Sequence, residues 1–149
     1  MIDSVNQEAL AAWLRERIEL YHTPDLVCIG RRDSTGKILG VVGFESYNGA
    51  SVMMHVAGEG HWLSKDFLGA MFHYPFSICK VNVVIAPVAS TNTKALRLNE
   101  KVGFTREHAI KDGHPDGDLV IMTMRKTQCK FLHFGDKYGQ EYTEGTSSA

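Results

Sequence analysis

A few polar side chains sit in runs that are otherwise apolar, and each has usable chemistry. His55 lies in the alternating run "SVMMHVA", 51–57. Strict alternation puts it on one strand face with Met53, and puts Met54 and Val56 on the other. An imidazole titrates near neutral pH, so His55 can serve as a proton acceptor. A lone strand histidine can equally be a satisfied core or surface residue. Glu45 ends the preceding run "KILGVVGFES", 37–46, and offers a carboxylate on the adjacent strand. It can act directly or through water, or be a solvated strand end. Glu59 and His61 are weaker candidates for the same work. Asn99 belongs to "NTKALRLNEKVGF", 92–104, where Ala95, Leu98, Asn99 and Val102 share one helical face. A buried amide without a partner costs about 1–3 kcal/mol. Asn99 therefore needs a polar group opposite, either nearby backbone or a ligand. An amide can donate a hydrogen bond, but it is far too weak an acid to supply a proton. Asn92 suits the N-cap of that helix, and Gly103 the positive φ that closes it.

These residues need a scaffold, and the sequence outlines one. Ser4 and Gln7 form an S-x-x-Q capping-box pattern. Leu10, Trp13, Leu14, Arg17, Ile18 and Tyr21 follow with helical spacing, and Pro24 ends the element. "LVCIG", 26–30, and 37–46 are strands. Asn48-Gly49 marks a tight hairpin into the return strand 51–57. "GEGHWLSKDFLGAMFHYPF", 58–76, reads as a turn and a helix over 63–74. Leu63, Phe67, Ala70, Met71 and Tyr74 line one face, and Pro75 closes it. "KVNVVIAPV", 80–88, is almost continuously apolar and reads as a strand buried on both faces. "TREHAIK" and "DLVIMTMRK" flank the turn-rich "DGHPDG", with Met122 and Met124 in the core. A polar, Gly-rich tail starts at about His133. The strand–helix–strand unit makes 51–57 and 80–88 parallel, in an otherwise antiparallel sheet.

Composition excludes several function classes. A chain of 149 residues suits one domain, here 1–132 plus the tail 133–149. A net charge of −1 gives no general pull toward nucleic acid or membrane. Three widely spaced cysteines, Cys28, Cys79 and Cys129, read as reduced thiols of a cytosolic protein. "DGHPDGD" lacks the ligand spacing and terminal Glu of a calcium loop, so no metal site is expected. Lys94, Arg97 and Lys101 form a basic stripe on one helix, either a solvated face or a contact for phosphates or an acidic acceptor. Trp62 and Tyr74 are either core or walls of an acceptor groove.

The order of elements and the residues Asn92, Ala95, Leu98, Glu100, Lys101, Gly103 and Phe104 resemble the GNAT family of acetyl-CoA-dependent N-acetyltransferases. "MHVAGEGHWLSKDF", "FHYPF" and "MRKTQCKFL" are similar to a compact branch common in bacteriophage genomes. The resemblance spans 26–132. It implies an α/β fold with a mixed, mostly antiparallel sheet, a splayed central parallel pair, and helices on both faces. GNAT domains usually begin with a strand, and here that strand is expected to be absent. The resemblance also implies a cytoplasmic enzyme moving an acetyl group from acetyl-CoA to a primary amine of a protein, peptide or small molecule. A homodimer is compatible with it. The pantetheine arm would pair with the backbone at Val56 and Ala57. The pyrophosphate would meet residues 58–65, with Gly58 and Gly60 permitting close approach, Ser64 capping the helix and Lys65 adding charge. Asn92, Ala95 and Asn99 would complete the cofactor site.

Two departures stand out. The usual phosphate-loop pattern is missing, and Glu59 would repel phosphate if turned inward. The family's thiolate-protonating tyrosine is replaced by Asn99, which leaves a hydrogen bond to the thioester sulfur or pantetheine. Within the resemblance, His55 or Glu45 would be the base, and backbone N–H groups at a bulge in 51–57 would polarise the carbonyl. The alternative class is a catalytically inactive GNAT-like binding or virion-associated module.

Overall fold

The computed structural model describes residues 1–20 and 23–132. The elements are β1 (Ile2–Asp3), α1 (Gln7–Arg15), β2 (Val27–Arg32), β3 (Ile38–Glu45), β4 (Ser51–Gly58), α2 (Lys65–His73), a π-helical turn (Tyr74–Ile78), β5 (Val83–Ala89), α3 (Thr93–Val102), β6 (Thr105–His114), β7 (Gly117–Arg125) and a 3₁₀ turn (Lys126–Gln128). The strands form a single sheet in the order β1-β2-β3-β4-β5-β7-β6, antiparallel except for β4–β5. The mixed sheet with one parallel pair at its centre is the architecture that the sequence implied. No helix among the described residues is long and apolar enough to cross a membrane.

The two faces of the sheet are covered differently. α2, α3 and the segment after β7, with Cys129, Phe131 and Leu132, close one face over Ile29, Val42, Phe44, Met54, Val84, Ala86, Met122 and Met124. α1 closes part of the other face, setting Leu10 and Leu14 on Cys28 and Val41. Two glycines admit α1 at close range. A Cβ on Gly30 would fall 2.4 Å from a Leu10 methyl, and one on Gly43 would fall 2.8 Å from a Leu14 methyl.

The N-terminus differs from expectation. A first strand is present, though only two residues long, pairing Ile2 with Arg31 and Asp3 with Gly30. Ser4 is not the N-cap. That position is Asn6, whose side chain makes no cap bond. Asp3 instead accepts from the Val5 and Asn6 backbone N–H groups at 2.9 and 3.1 Å and from Arg32 Nε at 2.9 Å. Gln7 reaches across to β2. Its amide donates to the Cys28 carbonyl at 2.8 Å and accepts from the Cys28 N–H at 2.7 Å. One side-chain amide thus stands in for the strand residue that β1 is too short to provide. α1 ends at Arg15, so Arg17 and Ile18 lie beyond it; Tyr21 and the tail from His133 fall outside the described residues.

Three further expectations are corrected. Pro75 does not stop the helix. The chain widens into the π turn, which places Tyr74 against Phe44 with ring centroids 5.2 Å apart. Leu63 precedes α2 and is exposed. β5 is not buried on both faces: Val84, Ala86 and Val88 are buried, while Val83, Ile85 and Pro87 are half-buried, because α1 does not extend across this half of the sheet.

Candidate functional site

β4 and β5 pair only over Ser51–Met53 and Val83–Ile85. Beyond that point they separate, and a cleft of about 900 Å³ opens between them. Its walls are Met54–Glu59 of β4 and its loop, Ala86–Ala89 of β5, the first two turns of α3, and side chains from the segment after α1 and from the β6–β7 hairpin.

The direction of the β4 backbone follows from hydrogen bonds at its two ends. The Glu59 N–H donates to the Leu39 carbonyl of β3 at 2.8 Å, whereas the Ala50 carbonyl accepts from the Asn82 N–H on the β5 side at 2.8 Å. Backbone groups alternate sides along a strand. Odd-numbered residues therefore bond β3, and Met54, Val56 and Gly58 turn their backbone groups into the cleft. The β3–β4 register is unbroken from Gly40↔Gly58 to Glu45↔Met53. There is no bulge in β4, and the expectation of one is withdrawn. The free groups come from the splay itself.

His55 and Glu45 converge. His55 is opposite Gly43, Glu45 is opposite Met53, and the two side chains are diagonal neighbours on the α1 face. His55 Nε2 lies 3.9 Å from Glu45 Oε1, with both side chains largely shielded from solvent. That oxygen also accepts from Ser46 Oγ at 2.8 Å. The hairpin fixes this corner: Ser46 has φ 58°, its N–H bonds Asp25, and Asn48 Oδ1 accepts from the Ala50 and Ser51 N–H groups. Burial pushes the His55 pKa below its ordinary value, and the Glu45 carboxylate opposes that shift without overcoming it. The imidazole is neutral at physiological pH and can accept a proton. His55 lines the cleft, while Glu45 stands behind it.

α3 forms the opposite wall. Asn92 Oδ1 accepts from the Ala95 N–H at 3.1 Å, so its cap role is as expected, and Gly103 has φ 128°. Ala95 and Leu98 are half-buried because they pack on the edge of the core and also line the cleft, and Leu96 is the fully buried leucine of α3. Asn99 is 7% exposed, and its Nδ2 contacts the Met122 sulfur at 3.7 Å. A thioether is a weak acceptor, so this inward amide keeps most of its hydrogen-bonding capacity beside the cleft.

The loop after β4 is built differently from the sequence reading. Among the expected binding residues, His55, Val56, Ala57, Gly58, Asn92, Ala95 and Asn99 line the cleft; Gly60, Ser64 and Lys65 do not. Ser64 does cap α2, accepting from the Phe67 N–H at 3.1 Å. Gly58 is glycine because Trp62 covers it: a Cβ there would fall 2.0 Å from the indole. Trp62 thus walls the cleft, and Tyr74, packed on Phe44, does not. Glu59 is held at 2.7 Å by Arg17. Of the basic stripe, only Lys94 reaches the cleft; Arg97 and Lys101 are exposed elsewhere on α3.

Sequence reasoning missed Arg17, Glu19, His114 and Asp116 as cleft residues. His114 Nδ1 accepts from the Asp116 N–H at 3.0 Å, and Ser90 ties the hairpin to the end of β5 through Asp118. No local pattern marks these residues, since they meet only through the fold.

No protein-family model matches the sequence, and no curated protein does. Solved structures do match. A single-substitution variant of spermidine N-acetyltransferase SpeG from Vibrio cholerae superimposes with a TM-score of 0.71 at 16% identity, covering 85% of this chain and 95% of that one. A spermidine/spermine N-acetyltransferase SpeG mutant structure from the same organism gives 0.71 at 16%, covering 89% and 97%. An acetyltransferase of the GNAT family from Bacillus anthracis gives 0.57 at 18%, covering 67% and 66%. The architecture is the one these acetyltransferase structures share.

Proposed function

We propose that this chain is an acyl-CoA-dependent N-acetyltransferase that moves an acetyl group from acetyl-CoA to a primary amine. The observation carrying this reading is the splay of β4 from β5, which leaves the backbone of Met54 and Val56 unpaired beside a neutral, shielded His55. An extended amide-bearing arm can pair with such an edge as an added strand. The pantetheine portion of acetyl-CoA has that form.

In this reading each chemical demand of the reaction falls to a residue of the cleft. The Met54 and Val56 N–H groups can donate to the thioester carbonyl oxygen as charge develops there. His55 takes the proton that the acceptor amine must lose, with Glu45 behind it to favour the imidazolium that results. Asn99 offers a hydrogen bond to the departing sulfur without supplying a proton, so the thiolate leaves as an anion and is protonated by solvent. Asn92, at the N-terminus of α3, and Ala95 border the path of the arm. The free state of Cys28, Cys79 and Cys129 fits a cytoplasmic setting, where acetyl-CoA is made. The structural relatives named for spermidine acetylation favour a small amine over a protein as the first acceptor class to try.

The test is direct. Acetyl-CoA at 100 times its dissociation constant should stabilise the folded protein by about 2.7 kcal/mol and raise the melting temperature accordingly. Incubation with a panel of polyamines, lysine peptides and small amines, followed by mass spectrometry, should then show a single added acetyl group. A folded protein that neither shifts with millimolar acetyl-CoA nor acetylates any amine contradicts the reading.

A further inference from the structure

The loop after β4 turns neither a cation nor an open glycine into the cleft: Gly60 has open space around it but, like Lys65, does not line the cleft. Trp62 covers Gly58, Ser64 and Lys65 stand outside the cleft, and Asp66 occupies the first turn of α2. Arg17 supplies what is missing. It reaches the cleft from the segment after α1, and with Lys94 it gives the cleft its arginine and lysine side chains among the described residues. Its guanidinium lies over the Trp13 ring at 3.6 Å, and Nη1 donates to the Trp13 carbonyl at 3.0 Å and to Glu16 at 3.3 Å. These contacts hold the fork in place from its own side of the cleft. Nε donates to Glu59 at 2.7 Å, and Nη2 has no partner among the described residues.

We propose that Arg17 is the anion-binding residue of this cleft and that Glu59 is its resident placeholder, displaced by the phosphate groups of the acyl donor. This rests on the acyl-donor reading given above. The exchange is inexpensive in free energy. The Glu59 side chain is half exposed, so the pair it makes is worth little and the carboxylate returns to water when displaced. An arginine fork meets phosphate with two parallel charge-assisted bonds, stronger than the monodentate contact it loses. Glu59 keeps the arginine in position while no donor is bound and sets a threshold that a carboxylate or monoanion does not pass. The cleft is thereby selective for a donor carrying multiple negative charges at that end.

The experiment compares two donors, acetyl-CoA and acetyl-pantetheine, which lacks the diphosphate. Dissociation constants are measured by calorimetry for wild type, Glu59→Gln, Arg17→Gln and the double variant, with melting curves to confirm folding. Glu59→Gln should tighten acetyl-CoA binding about two- to fivefold. Arg17→Gln should weaken it about tenfold or more, and Glu59→Gln should bring no gain in that background. Arg17→Lys, which keeps the charge and loses the fork, should fall between. Acetyl-pantetheine affinity should be the same in every variant. Equal acetyl-CoA affinity in all variants, or parallel shifts for both donors, overturns the proposal and leaves the acyl-donor reading standing. A wild-type protein that binds neither donor overturns both.

Discussion

The packing of Trp62 on Gly58 makes a sharp prediction about Gly58→Ala. The new methyl would sit 2.0, 2.2 and 2.3 Å from three atoms of the indole. Something must move by more than an ångström, and the ring is itself wedged against Gly40 and Phe67, with the Phe67 centroid 6.1 Å away. Overpacking of this kind costs about 1–3 kcal/mol. For a domain of this size each kcal/mol lowers the melting temperature by roughly 2–4 °C, so the variant should melt about 2–12 °C below wild type. The assay is thermal unfolding followed by circular dichroism, run as a double-mutant cycle with Trp62→Ala. Trp62→Ala removes the three atoms nearest the new methyl, and Gly58 has no positive φ. In that background Gly58→Ala should be neutral or stabilising by about 0.4–1 kcal/mol. An equal penalty in both backgrounds would refute the packing account. A loss of acetyl-CoA affinity with no loss of stability would instead make Gly58 a point of ligand approach, as its sequence context first suggested.

Other consequences can be measured alongside. Burial pushes the Asp3 carboxyl up, but hydrogen bonds from Asn6, Val5 and Arg32 outweigh it and hold the pKa at about 2, against 3.8 for an ordinary aspartate. A depressed carboxylate contributes stability above its unfolded pKa and loses it as pH falls through the folded one. Asp3→Asn should therefore cost about 2 kcal/mol at pH 7, with the difference from wild type vanishing by about pH 2 in urea titrations. His55 carries the opposite charge logic with the same pH direction. Its lowered pKa favours the neutral form, so wild-type stability should fall as pH drops below about 6.5, and His55→Gln should remove that component. With a competent acceptor in hand, His55→Gln should lower turnover about 10²–10⁴-fold at nearly unchanged acetyl-CoA affinity. Normal turnover would move the base elsewhere, with Glu45→Gln the next variant to measure. Asn99→Ala should weaken acetyl-CoA binding modestly and leave the fold intact; unfolding with no change of affinity would make the amide structural.

Elements set by local pattern were legible in the sequence. Period-2 alternation gave β4 and its faces, the Asn48-Gly49 pair gave the hairpin, and Asn92 with Gly103 bounded α3 to within a residue. The splay was implied by resemblance and is present. What was not legible depends on partners distant in sequence. Gln7 reads as part of a capping box until Cys28 is known to lie beside it. Gly58 reads as a ligand-approach glycine until Trp62 is found over it. Pro75 and the end of α1 were misplaced because a π turn and an early helix stop are set by packing rather than by propensity, and Leu63 because Ser64 caps α2 and leaves the residue before it outside the helix. The candidate site was half-read for the same reason. Its β4 and α3 walls are contiguous stretches, whereas Arg17, Glu19, His114 and Asp116 come from two separate connections that only the fold brings to one cleft.

The account stands on the claim that acetyl-CoA lies along the splayed edge of β4. A nitrogen–proton correlation spectrum of the labelled protein, titrated with acetyl-CoA, reads that edge residue by residue. The Met54, Val56 and Gly58 amides face the cleft, while Met53, His55 and Ala57 are bonded to β3. The prediction is a saturable shift of the first set that clearly exceeds that of the second. Shifts confined to the β3-facing amides, or an unchanged spectrum at millimolar acetyl-CoA, would contradict it.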